Sequence, residues 1–211
     1  MQGRHVVVTG GRGALGQGVV AVLEARGAIV HVTPNPPALQ LEDEAQAVAW
    51  FGALPPLWAS IHLVGGFAMK PLVETSLADF EAQWKINTVT CFLACREAVR
   101  AIRKTGAGGR IVNVAARPIA SPVADLSAYT AAKAGVAGLT QSLGAELLRE
   151  GILVNAVLPS LIDSPANRAA MPGADHASWP KPEQLAEAIA FLASPENTVT
   201  TGALVPVYGR A

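Results

Sequence analysis

Tyr129 and Lys133 stand four residues apart in Tyr129-Thr130-Ala131-Ala132-Lys133. The stretch is alanine-rich and strongly helix-forming, so both side chains leave one helix face. A phenol with an ordinary pKa of about 10 exchanges protons poorly at neutral pH. A cation a few ångströms away stabilises the phenolate and brings that pKa towards the working range. The pair could therefore pass a proton to a substrate, although the same spacing also suits a surface packing pair.

A second group of residues has chemical potential near the start of the chain. Val6-Val7-Val8-Thr9-Gly10-Gly11-Arg12-Gly13-Ala14-Leu15-Gly16 runs from an apolar strand into a helix. Glycines in that context permit a tight turn and let the backbone approach a pyrophosphate, which then sits at the positive end of the helix. The end of the next strand carries Thr33, Pro34 and Asn35, with no acidic residue before Glu42. The carboxylate that holds the ribose hydroxyls of NAD is thus missing, and Arg12 could reach a phosphate, so the choice between NAD and NADP stays open.

These groups need a scaffold. Apolar runs of strand length occur at 5–9, 28–32, 60–64, 110–115, 152–158 and 203–207, with helical spacing at 14–26, 43–53, 79–105, 127–150 and 182–193. The alternation predicts an α/β fold: one Rossmann-like, doubly wound parallel sheet with helices on both faces, formed by a single domain over residues 1–211. After the second strand the proline-rich Thr33 to Leu41 is too short for a crossover helix, so the sheet is expected to be trimmed there by one helix. Residues 160–181 read as a long loop covering substrate at the carboxyl ends of the strands.

Composition narrows the partners. The chain has 211 residues, 51% hydrophobic and 15% charged, with 16 basic side chains against 16 acidic ones. Such a chain folds around a core and offers no global electrostatic footprint for nucleic acid or anionic lipid. Residues 45–69 lack Asp, Glu, Lys and Arg, but Pro55, Pro56 and Gly65-Gly66 interrupt them, so no membrane span is expected. With no export signal ahead of the first strand, a cytoplasmic protein is expected. Cys91 and Cys95 read as small core residues, with no metal site expected, and His5, His31 and His62 as strand-end or core histidines lacking ligand spacing. His176 and Trp179 fall in the substrate loop. Small apolar residues on several faces of 79–105 and 127–150 point to burial against another subunit.

Taken together, these motifs resemble the short-chain dehydrogenase/reductase family over essentially the whole chain. Thr9 to Gly16 matches the family's TGxxxGxG loop with Ala14 for the middle glycine, Lys85-Ile86-Asn87-Thr88 its asparagine segment, and Tyr129 to Lys133 its YxxxK. Val154 to Pro159 is similar to the strand and turn beside the nicotinamide, and Ser164 stands where the family has threonine. The resemblance implies an NAD- or NADP-dependent oxidoreductase acting on a small molecule, as a homodimer or homotetramer.

It also implies site residues. Tyr129 would exchange the proton, Lys133 would bind the nicotinamide ribose and lower the tyrosine pKa, and Asn87 would hold a relay water. Gly10, Arg12, Gly13, Ala14, Leu15 and Gly16 would cradle the pyrophosphate side, and Gly65, Gly66, Pro159, Ile162 and Ser164 the nicotinamide side. Leu63-Val64-Gly65-Gly66 replaces the family's NNAG, and Ala116 stands thirteen residues before Tyr129, where the family has a catalytic serine. The missing serine and the loop after Leu158-Pro159 resemble the dihydropteridine reductase branch, with Phe67 placed to stack on a ring. A small-ketone or 3-oxoacyl reductase is the alternative, and a non-catalytic NAD(P)H-binding sensor a further one.

Overall fold

The computed structural model describes residues 1–210. Six parallel strands form one sheet: β1 (His5–Thr9), β2 (Ile29–Val32), β3 (Ala59–His62), β4 (Gly109–Val114), β5 (Ile152–Pro159) and β6 (Leu204–Val207), in the order β2-β1-β3-β4-β5-β6. The order reverses between β1 and β3, so the loops after these strands diverge and leave a crevice at their carboxyl ends. The helices are α1 (Ala14–Ala25), α2 (Glu44–Gly52), α3 (Leu77–Trp84), α4 (Thr90–Arg103), α5 (Ser127–Glu146), α6 (Pro165–Ala170) and α7 (Pro182–Leu192).

Strand alternation makes two cores. Val6, Val8, Ala59, Ile61, Val112 and Val157 face α1 and α7, meeting Val19, Leu23 and Ile189. Val7, Ile111, Val154 and Ala156 face the opposite way, onto Phe51, Leu93, Ala98, Ile102 and Val136 of α2, α4 and α5. Because both faces are covered, the strands read as nearly continuous apolar runs. Among the described residues no helix is long and apolar enough to cross a membrane.

Three expectations change. The helix expected at 79–105 is α3 and α4 joined by a π-helical turn, Lys85–Val89. The helix expected at 127–150 stops at Glu146, and a 3-10 turn, Leu148–Glu150, then leads into Gly151 with φ of 69°. The loop at 160–181 contains α6 and a 3-10 turn, His176–Ser178. At the trimmed edge β2 is the outermost strand, and α2 alone completes the crossover to β3. Leu39 and Leu41 of the proline-rich segment are buried in the core, which anchors it without regular structure.

The start of α1 sits tightly on the preceding turn. A Cβ on Gly16 would meet the Gly10 carbonyl oxygen and lie 2.6 Å from the Gly11 carbonyl carbon. These are backbone atoms with little freedom to yield. Gly16→Ala is therefore expected to destabilise the protein by at least about 1–3 kcal/mol, measured by urea unfolding; an unchanged midpoint would show that the turn yields freely.

Candidate active site

The glycine loop begins where β1 ends. Gly10 has φ of 67°, a left-handed conformation that favours glycine, and its N–H donates to Thr33 Oγ1 at 3.1 Å. Thr33, at the end of β2, is buried, and its hydroxyl oxygen is engaged by the loop. Gly13 is the N-cap of α1; no side chain caps the helix and its first turn holds no acid. The backbone N–H groups of Ala14, Leu15 and Gly16 therefore open the helix without a side-chain acceptor, a cradle suited to a pyrophosphate. Arg12 is exposed and lines an open groove with Gly11, Gln17, Glu24 and Val32.

The proton-transfer candidates converge at the other side of the crevice. Lys133, in α5, is buried, and its Nζ donates to the Val114 carbonyl oxygen at the end of β4 at 2.9 Å. Asn87, in the π-helical turn, is also buried; its Oδ1 accepts from Gly66 N at 3.2 Å, and its Nδ2 donates to Gly66 O and to Gln83 O, each at 3.0 Å. A Cβ on Gly65 would lie 2.7 Å from Asn87 Oδ1 and 3.2 Å from Lys133 Nζ. Gly65 thus joins the two residues into one floor that only a glycine leaves clear. The close fit depends on Gly135: its Cβ would lie 2.9 Å from Thr88 Cγ2 and 3.0 Å from Trp84 Cη2. Thr88 Oγ1 donates across the same contact to the Ala132 carbonyl, at 2.8 Å.

Tyr129 is half-buried on the exposed side of this floor, with the Lys133 Nζ 6.0 Å from its ring centroid. Phe67 packs edge-on against it, with centroids 5.0 Å apart. Burial pushes the Tyr129 phenol up to about 12, opposite to the lowering expected from its lysine neighbour. Burial also lowers Lys133 to about 8. In the protein alone, desolvation sets the direction of both shifts.

The remaining expected residues divide. Pro159 is buried at the end of β5; Ile162 and Ser164 follow it, joined by Asn167, whose Nδ2 donates to Ile162 O at 2.8 Å and whose N donates to Ser164 Oγ at 3.2 Å. Ala116 is buried beyond β4. His176 donates Nε2–H to the Met171 carbonyl at 2.7 Å and packs on Trp179, with centroids 4.7 Å apart, so it braces the loop. The structural roles of Thr33, Gln83 and Gly135 escape sequence reasoning because each acts through a distant segment.

Comparison with known proteins agrees with the fold. The family model for enoyl-(acyl carrier protein) reductase matches residues 2–209. The chain is 32% identical to the cis-4-hydroxycyclohexanecarboxylate dehydrogenase of Sinomonas cyclohexanicum over 98% of its own length and 95% of that protein's. It is 31% identical to the uncharacterized oxidoreductase YohF of Escherichia coli K12 over 71% of its length, which spans 62% of YohF. A solved structure of ElxO with NADP bound has a TM-score of 0.88 at 22% identity, covering 99% of this chain and 98% of that one. The chain belongs to the short-chain dehydrogenase/reductase family. It is an NAD(P)-dependent oxidoreductase with the Rossmann-like fold of that class.

The lowered Lys133 has a thermodynamic signature. Between pH 8 and 10.5 the unfolded chain keeps this proton while the folded chain has lost it, so stability rises with pH across that window. Wild type is expected to gain about 3 kcal/mol relative to Lys133→Met between these limits. Denaturant titrations at each pH measure the gain, and a pH-independent difference would show that Lys133 titrates normally.

Proposed function

We propose that the protein interconverts a ketone and its secondary alcohol, with Tyr129 exchanging the proton and Lys133, Asn87 and the glycine segments holding the cofactor. The observation that carries this reading is the convergence of Lys133 and Asn87 on Gly65, with Tyr129 beside the lysine, together with an uncapped α1. A nicotinamide cofactor held there would supply or accept the hydride. Tyr129 donates its phenolic proton to the developing alkoxide in reduction and removes the hydroxyl proton in oxidation. Lys133 would donate to ribose hydroxyls, and its charge would act more strongly on the phenolic oxygen once water is excluded from the crevice. Asn87 fixes the Gly66 peptide and thereby the floor beneath the ring, and can order a relay water.

Other features refine the proposal. No carboxylate stands at the end of β2, and Thr33 accepts from Gly10, so a ribose diol meets no acid there. With Arg12 exposed beside the loop, NADPH is the favoured coenzyme. Ile162 and Ser164 would meet the carboxamide, and residues 160–181 would cover the substrate. Phe67 and the exposed Met69 give the crevice an apolar rim, suited to an aliphatic or ring substrate. A cyclic secondary alcohol is what the Sinomonas relative's name describes. The exposed Phe92 on α4 supports assembly as a homodimer or homotetramer, checked by sedimentation.

Ala116 favours a second reading. Without a serine hydroxyl, the carbonyl oxygen receives its proton and its hydrogen bond from Tyr129 alone; loss of such a donor commonly costs about 100- to 1,000-fold in rate. A dihydropterin, reduced on a ring system, tolerates that loss better. Following cofactor oxidation with cyclic ketones, 3-oxoacyl esters and dihydropterin separates the two: turnover confined to the pterin would overturn the ketone proposal. Ala116→Ser is expected to raise ketone kcat by about 10-fold or more and to leave pterin turnover unchanged. Tyr129→Phe is expected to abolish turnover while cofactor affinity, measured by fluorescence titration, stays within about twofold; full activity would remove Tyr129 from the proton step.

A further inference from the structure

Behind the Lys133 floor, between the sheet and α4, lies a buried group that the redox reaction does not use. His62 from β3 and Cys91 and Cys95 from α4 bring ligand atoms within 4.8 Å of one another, and all three residues are buried. Cys91 Sγ and Cys95 Sγ are 4.0 Å apart, and Cys95 Sγ is 3.5 Å from His62 Nδ1. A tetrahedral zinc ion with ordinary Zn–S and Zn–N bonds places two sulfurs about 3.8 Å apart and sulfur about 3.5 Å from nitrogen. The Cys91–Cys95 and Cys95–His62 separations are therefore close to ligand spacing, and the remaining pair, Cys91 with His62, lies within 4.8 Å.

The surrounding polar groups complete the set. Thr140 Oγ1 donates to the Val136 carbonyl at 2.8 Å and accepts from Asn113 Nδ2 at 2.9 Å. That fixes Asn113 Oδ1 as the atom turned inward, 2.8 Å from His62 Nδ1 and 3.5 Å from Cys95 Sγ. On the other side of the imidazole, Ser60 Oγ lies 2.8 Å from Nε2. The ring can thus hold its proton on Nδ1, facing Asn113, or on Nε2, facing Ser60, and in the second tautomer Nδ1 presents a lone pair to the two sulfurs.

We propose that His62, Cys91 and Cys95 form a buried site for one thiophilic divalent cation of the zinc type, with Asn113 Oδ1 on its fourth side. Two thiols give up their protons to solvent as two metal–sulfur bonds form, and the imidazole proton moves from Nδ1 to Nε2, where Ser60 accepts it. The dication with two thiolates and a neutral imidazole carries no net charge, so the filled site needs no further counterion in the core. Cys91 follows Asn87 by about one helical turn, and Asn113 precedes Val114, whose carbonyl holds Lys133, so the filled site would brace the active-site floor from behind.

The test is independent of turnover. Reduced, metal-stripped protein is titrated with Zn²⁺ alone, both folded and during refolding so that burial does not block entry, and its Tm is read. Wild type is expected to bind one Zn²⁺ per chain and gain about 5–10 °C at roughly a hundredfold excess of free ion over Kd. Cys91→Ala and Cys95→Ala, shown to be folded by circular dichroism without metal, should lose that gain. Co²⁺ substitution of wild type needs no variant and should give thiolate charge-transfer absorption with tetrahedral visible bands. A gain retained in both alanine variants, a Co²⁺ spectrum without thiolate ligation, or no Zn²⁺ uptake by either route would overturn the proposal.

Discussion

Burying the Lys133 ammonium is the constraint around which the upper end of the sheet is arranged. A cation taken out of water is stabilised only where oxygen acceptors replace its hydration shell. Here the structure supplies the Val114 carbonyl at the end of β4, and the lowered pKa of the lysine shows that one carbonyl does not fully replace water. The space above Gly65 remains clear because any Cβ there would press on both the ammonium and Asn87. A site left short of acceptors in the protein alone is suited to hydroxyls arriving with a ligand, which both bind to the charge and displace water.

That requirement also explains the π-helical turn. A continuous α-helix through Lys85–Val89 would close one residue earlier and rotate Asn87 away from the Gly66 peptide. The inserted residue directs the amide into the loop after β3, where its Oδ1 and Nδ2 bind both polar groups of one residue, while Nδ2 also returns a bond to Gln83. Thr88 and Gly135 hold the irregular turn against α5. The loop after β3, the α3–α4 junction and α5 therefore act as one unit that sets the distance between Asn87 and Lys133.

Much of this was legible in the sequence. Strand and helix periods are local, so all six strands and the glycine loop could be read from the order of residues, and the four-residue spacing of Tyr129 and Lys133 placed them on one face of α5. The π-helical turn was hidden because Lys85-Ile86-Asn87-Thr88 continues an ordinary helical pattern, and its cause lies twenty-one residues earlier, at Gly66. The same limit concealed the grouping of His62 with Cys91 and Cys95: the cysteines are one helical turn apart, but the histidine arrives from β3 by tertiary packing. The direction of the Tyr129 shift is not legible in the sequence for another reason. Spacing reports the neighbouring cation and says nothing of the burial that opposes it.

Ala116 and Phe67 together shape what the proposed chemistry can accept. With no hydroxyl at position 116, a carbonyl oxygen would, on the proposed mechanism, have one donor to meet, the Tyr129 phenol, and a single hydrogen bond would fix its approach. Phe67, edge-on to that phenol and largely exposed, would on the same mechanism limit the side from which an apolar substrate enters. A two-donor site discriminates by requiring both bonds at once, whereas a one-donor site discriminates by the shape and apolar contact around its single bond. On the proposed mechanism, specificity therefore rests less on polar readout of the reacting carbonyl than on the rim formed by Phe67, Met69 and the segment after Pro159.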